Sequence, residues 1–420
     1  MSIPIIVKIL FSLTLILAGN KILKNLSLSV LIGTVLLAFW CGFTPGDILR
    51  ISADRFFSLD NVALLVVIFL VIWLSSQMDR TFIMRDLVGN LRSMLSPRSA
   101  MAMLPAVIGL LPMPGGALFS APLVDDCDEH QEVPPLLKSQ INYWFRHIWE
   151  LAWPLYPGVL LAMELSQLQV YHMFIIGVPM MATMVLSGYW FILRKAKLTP
   201  VHNPPSEHHI LRLIEPILVI VSTYILVMIF LPFIPRISKY FPMIIGISLS
   251  MIVLQIRRPL NGKEWREILL SNRSFKMAVL VALIRIYGAF IEARLPSGIL
   301  LMEQMRQEIN VLGIPVVFLI MLISFISGMT TGISVGFVGA VFPIAFSLLG
   351  ADADIATRLG ILALTYPFGF IGVMLSPVHV CFIVTNEHFK TSLLKSMGRL
   401  IFPSVLVLAV SFVLGQFFLN

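Results

Sequence analysis

A chain of 420 residues that is 58% hydrophobic and only 12% charged cannot clothe a soluble globule in polar surface. It reads as an integral membrane protein, and its net charge of +8 is ascribed to loops facing one side of a bilayer rather than to a nucleic-acid partner. Cys41, Cys127 and Cys381 lie far apart, match no metal spacing or redox pair, and read as buried thiols.

From the N-terminus, Lys8 sits in an apolar run closed by Lys21 and Lys24 with no small-x-small cleavage site, so a retained helix is expected. Apolar runs long enough to span follow at about 3–19, 26–43 and 61–77, then a Pro-rich stretch at 100–124, then 138–165 and 171–193. A polar linker at about 201–210 lies at the end of RKAKLTPVHNPPSEHH (194–209). The second half reads 211–231, 241–256 and 277–293, then 310–350, 356–385 and 399–419. Three helices, a long interrupted segment, a broken helix and a last helix are thus stated twice, over 1–200 and 211–420. Gly109, Gly116, Tyr143 and Pro154 recur 223 residues later as Gly332, Gly339, Tyr366 and Pro377, within nine identities over 46 aligned positions.

If 100–124 and 310–350 are re-entrant hairpins that return to their own side, each half crosses the membrane five times and the halves are oppositely oriented. Placing the 20–25 loop in the cytoplasm then leaves twenty Lys and Arg residues in cytoplasmic loops against seven on the other side. The expected fold is an all-α membrane protein with about ten transmembrane helices and two re-entrant hairpins in an inverted repeat, multi-pass in the cell (inner) membrane, with both termini extracytoplasmic. The stretches before the hairpins, 79–96 and 294–310, carry apolar residues at helical spacing, such as Ile83, Leu87 and Leu91, and are expected to be interfacial helices.

Chemistry is expected at the tips and breaks. In LLPMPGGALFSAP (110–122) one helix must end near Leu111 and another begin near Gly116; Pro114, Gly115 and Gly116 would expose amides to an anion. The second tip, SGMTTGISVG (327–336), offers the hydroxyls of Thr330, Thr331 and Ser334 to a substrate carboxylate or a sodium ion. In NYWFRHIWELAWPLYPG (142–158), Asn142 and Arg146 are assigned to substrate and His147 and Glu150 to ion coupling. Arg146 and Glu150, four apart, could instead neutralise one another. The second broken helix supplies His379 for substrate and Ser376 and Thr385 for coupling. Arg285 is expected to pair with Glu292 two turns away, and DDCDEHQE (125–132) to be a solvated loop. No catalytic residue, metal site or cofactor is expected, a bound sodium ion aside.

This architecture resembles the ion-transporter superfamily of gluconate permeases, dicarboxylate and citrate carriers and the large membrane subunits of TRAP transporters. The PMPGGALFSAP, NYWFRHIWELAWPLYPG and SPVHVCFIVTNEHF segments look most like an uncharacterised integral membrane branch of it. The Ser-Asn-Thr signature of its sodium-dicarboxylate members is absent, and PMPGG and TTGIS stand in its place, closer to the gluconate-permease style. The resemblance implies an elevator-type secondary carrier of a small organic anion, driven by protons or sodium, with a homodimer as an open option. The rival readings are a membrane enzyme using His147 and Glu150 or His379, and an anion channel.

Overall fold

The structure, a computed structural model, describes residues 3–110, 116–199, 210–312, 315–349 and 353–420. In the first half the main helices are α1 (Ile5–Leu23), α2 (Leu26–Trp40), α3 (Leu59–Arg80), α4 (Ile83–Met94), α5 (Pro97–Gly109), α6 (Ala117–Asp126), α7 (Pro135–Arg146), α8 (Pro157–Ser166) and α9 (Val170–Phe191). The second half has α10 (Ile210–Phe230), α11 (Phe241–Arg257), α12 (Asn272–Glu292), α13 (Leu301–Leu312), α14 (Val316–Thr331), α15 (Ser334–Ser347), α16 (Ile355–Met374), α17 (Val380–His388) and α18 (Leu393–Leu419). Short helices at Pro45–Phe56, Ile234–Ile237 and Gly262–Leu269 lie between them, and the described residues contain no strand.

Local chemistry sets these limits. Asn25 caps α2 by accepting from the Leu28 amide, Ser96 caps α5 just ahead of Pro97, and Asp354 caps α16 through the Thr357 amide. Each of these caps satisfies an amide that the helix itself leaves unpaired.

Six stretches among the described residues are long and apolar enough to cross a membrane: Ile5–Leu23, Leu59–Arg80, Val170–Lys195, Gly262–Glu292, Ile355–Met374 and Leu393–Leu419. Six further apolar helices run 10–17 residues. Bulky side chains such as Phe318, Phe402 and Phe417 face outward along these helices and call for an apolar solvent.

Helices from the two halves pack in reciprocal pairs. α5 lies against α7 as α14 lies against α16; α6 packs on α17 and α15 on α8; α2 on α12 and α11 on α3. α9 and α18 pack on each other. The two amphipathic helices cross over: α13 rests on α1 and α4 on α10. α4 buries Ile83 and Leu87, and α13 buries Leu301, Met305 and Ile309. Pro4 offers no cap to α1, and the Glu308 carboxylate of α13 accepts instead from the amides of Ile5 and Ile6, each at 2.9 Å.

Two expected electrostatic arrangements are corrected. Arg285 does not pair with Glu292; its Nη2 lies 2.6 Å from Glu164 Oε1 on α8, and Glu292 pairs with Arg55. Glu164 Oε2 also meets Lys239 Nζ at 2.9 Å and accepts from the Tyr240 hydroxyl at 2.8 Å. Nor is the whole acidic stretch solvated. Asp128 is fully buried, accepts from the Glu132 and Val133 amides, and sits 2.8 Å from the buried Lys138 ammonium, which also binds Asp125. An intact acidic loop was the simplest reading of its composition, whereas the fold needed an anion to neutralise a lysine placed inside.

Candidate functional site

α7 runs without interruption from Pro135 and stops at Arg146. His147 leaves the helical region, Ile148–Leu151 form one tight turn, and regular helix resumes at Pro157. Pro154 cannot donate a backbone hydrogen bond and Pro157 stands at the start of α8, where no donor is needed, so regular α-helix is absent from 147 to 156. The second broken helix stops at Met374 and restarts at Val380, around Pro377.

At the second tip, α14 ends on Gly332 at φ +64°, and a Cβ there would lie 3.0 Å from the His379 nitrogen. Both the left-handed backbone and the close approach favour glycine. The corresponding glycine of the first half, Gly109, ends α5, where a Cβ would lie 2.0 Å from the Arg146 carbonyl oxygen. Gly109→Ala should therefore lower the thermal unfolding midpoint, by the roughly 1–3 kcal/mol of an overpacked core. Gly89→Ala, at a position with nothing within 4 Å, should not lower it. Equal midpoints for the two variants would mean that α5 and α7 are not in such close contact.

Each of these glycine carbonyls accepts a side-chain hydrogen bond from a residue 47 positions on: Gly109 from the Tyr156 hydroxyl, Gly332 from His379 Nδ1. Tyr156 and His379 are themselves 223 residues apart, the offset of the sequence repeat.

The buried centre lies between these breaks. The Arg146 guanidinium rests against the N-terminus of α6, where a Cβ on Gly116 would be 2.4 Å from Nη2. Arg146 Nη1 lies 3.3 Å from Cys381 Sγ and 3.3 Å from His147 Nε2. His147 Nδ1 is 2.6 Å from the Tyr143 carbonyl, His379 Nδ1 is 2.6 Å from the Gly332 carbonyl, and the two Nε2 atoms face each other at 3.2 Å. Glu150 Oε2 accepts from Ser334 at 2.9 Å, its Oε1 lies 3.8 Å from His147 Nε2, and its backbone carbonyl accepts from Tyr366. The helix ends at Arg146, so the i, i+4 face it would have shared with Glu150 does not form, and Glu150 is held by Ser334 and Tyr366 instead.

The structure thus joins Gly116, Arg146, His147, Glu150, Ser334 and His379 in one network. Asn142 and Thr385 form a neighbouring pair, Nδ2 to Oγ1 at 3.0 Å, and Asn142 Oδ1 is buried without a partner. Ser376 donates to the Met329 carbonyl, Thr331 to the Ser327 carbonyl, and the half-buried Thr330 to the Ile326 carbonyl. The two threonines brace their own helix and Ser376 ties the second broken helix to it, which leaves only oxygen lone pairs for a ligand. Pro114 and Gly115, like most of the 201–210 linker, lie outside the described residues.

Cys381 was not expected in the network, although its place two residues after His379 was a signal. Tyr143 and Tyr366 were visible only as members of the repeat. The atoms His147, His379 and Cys381 offer lie within 4.8 Å of one another, with the residue types of a soft-metal site. The Arg146 guanidinium, 3.3 Å from both Sγ and the His147 nitrogen, sets a fixed cation against two of the three atoms such an ion would need. The set fits a proton-bearing network better than a metal.

The pattern of a protein family described as a protein of unknown function (DUF401) matches residues 6–416. The chain belongs to this family. The match takes in all eighteen main helices, apart from the first residue of α1 and the last residues of α18, and so includes both tips and both breaks of the DUF401 chain. No curated protein matches it.

Proposed function

We propose that the protein is a secondary active transporter of a small organic anion, of carboxylate or sugar-acid type, coupled to protons or sodium. The observation that carries the anion reading is the meeting of Arg146 with the N-terminus of α6. Helix-terminal amides and a buried guanidinium both favour negative charge, and a carboxylate lying between them would satisfy both at a depth where either is costly. The ion-transporter architecture is read from the same features. Nine main helices follow in the same order in each half, their contacts are reciprocal, and the carbonyls at the end of α5 and α14 are anchored by residues one repeat apart. With the one-sided excess of Lys and Arg, this supports an inverted repeat of about ten spans, counting the shorter apolar helices, with both termini extracytoplasmic. In an elevator cycle α4 and α13 would be the arms, each tied to the first helix of the other half.

The test is uptake of organic anions by the purified protein in vesicles. We expect accumulation against a gradient, driven by an imposed pH difference without sodium, and lost when His147→Gln, His379→Gln and Glu150→Gln are combined. Strict sodium dependence with no response to pH would move coupling to the oxygens of Thr330, Thr331, Ser334, Ser376 and Thr385. Equilibration without accumulation would indicate a channel.

The membrane-enzyme reading gains one observation, because Cys381 beside His147 and His379 has the residue types of a thiol nucleophile and its base. Cys381→Ser separates the two readings. An enzyme would lose its turnover, whereas a carrier keeps most of its uptake.

A further inference from the structure

Hydrogen-bond bookkeeping at the two central histidines leads to a definite charge. A backbone carbonyl can only accept, so His147 Nδ1, facing the Tyr143 carbonyl, and His379 Nδ1, facing the Gly332 carbonyl, must both carry hydrogen. Were both rings neutral, each Nε2 would be a bare lone pair. Yet these two atoms face each other at 3.2 Å, the distance of an N–H···N hydrogen bond, in a fully buried place. Two opposed lone pairs repel there. Arg146 Nη1 can donate to His147 Nε2, but that leaves the lone pair of His379 still aimed at the same atom.

We infer that His147 and His379 bind one proton between them, Nε2–H···Nε2, so that the pair carries a single positive charge and joins the first broken helix to the second hairpin tip. The groups that face it are Arg146, Glu150, Cys381 and Tyr143. The guanidinium and the shared proton place two positive charges beside the Glu150 carboxylate and the Cys381 sulfur. The proton also acts as a latch. While it is held, the His379 ring stays fixed on the Gly332 carbonyl, and with it the end of α14; once it leaves, the two lone pairs push α7 and the second tip apart. The coupling role, loading of proton and anion together, rests on the transporter reading above, whereas the shared proton does not.

The full-length protein, labelled with ¹⁵N-histidine and reconstituted in lipid bilayers, tests this by solid-state NMR at neutral pH. His147 follows the one Arg–His step in the chain, so its signals are assigned by labelling arginine carbonyls, with no substitution. We expect three protons over the four ring nitrogens of the pair, with both Nδ1 atoms protonated and an Nε2–Nε2 correlation across the hydrogen bond. Two protons over the four nitrogens, or four, overturn the inference. So does a transition metal that remains at one ion per chain after chelation and is lost in Cys381→Ser. A shared proton in a protein that takes up no anion leaves the inference standing and sinks the transport reading; a neutral pair in a protein that accumulates anions does the reverse.

Discussion

Arg146→Gln should abolish anion binding and uptake while the protein still folds. The guanidinium is buried at the start of α6, so its loss removes a charge-assisted contact of up to about 3 kcal/mol, or roughly a hundredfold in affinity. Glutamine keeps a polar head but ends short of the guanidinium nitrogens that meet Cys381 and His147, so the charge and its contacts are lost together. Binding is read by the thermal shift that a panel of organic anions gives to the purified protein, since specific ligands stabilise the folded state by mass action. The decisive companion is Arg146→Gln with Glu150→Gln. If the arginine merely neutralised Glu150, the double variant would recover transport. Because Glu150 is held by Ser334 and Tyr366, we expect no recovery, and full recovery would end the substrate role of Arg146.

The largest stability effect is expected at Glu164. Its carboxylate holds Arg285 on α12 and Lys239 ahead of α11, and it accepts from Tyr240. Glu164→Gln leaves two cations facing each other with no anion between them, one of them almost fully buried. The cost should be about 3–5 kcal/mol, read as a lower unfolding midpoint in detergent. Glu164→Met with Arg285→Met removes both buried charges and lets Lys239, partly exposed, turn outward; it should recover most of the loss. Equal destabilisation by the single and double variants would show that packing, not charge, governs this cluster.

Much of the helical framework was legible in the sequence because composition and punctuation act locally. Runs at 26–43 and 171–193 became α2 and α9, and Pro154 and Pro377 fall within the breaks, since a missing amide disrupts a helix wherever it lies. The gathering of Arg146, His147, Glu150 and His379 was legible for the same reason: interrupted segments are where buried backbone and titratable groups can be accommodated. Partner choice was not legible. Arg285 met Glu164, on α8, rather than the nearer Glu292, and Asp128 went inside to meet Lys138, because side-chain pairing depends on which helices pack together and leaves no local trace. Among the described residues six stretches reach full spanning length where about ten spans were expected, since α2 stops at Trp40, short of the end of its run at 43, and α8 takes up only the last part of the 138–165 run, while α11 fills its 241–256 run but that run is itself short.

The crossed packing of the halves constrains biogenesis. Synthesis proceeds from the N-terminus, so α1 through α9 enter the membrane before α13 and α17 exist. Until then the first amides of α1 lack Glu308, Asn142 lacks Thr385, Ser139 lacks Asn386, and His147 lacks His379. Those polar groups must be sheltered by the insertion machinery or by trapped water. The early helices can reach their final arrangement only when the last part of the chain has been threaded in, which makes a truncated protein defective throughout rather than merely shortened.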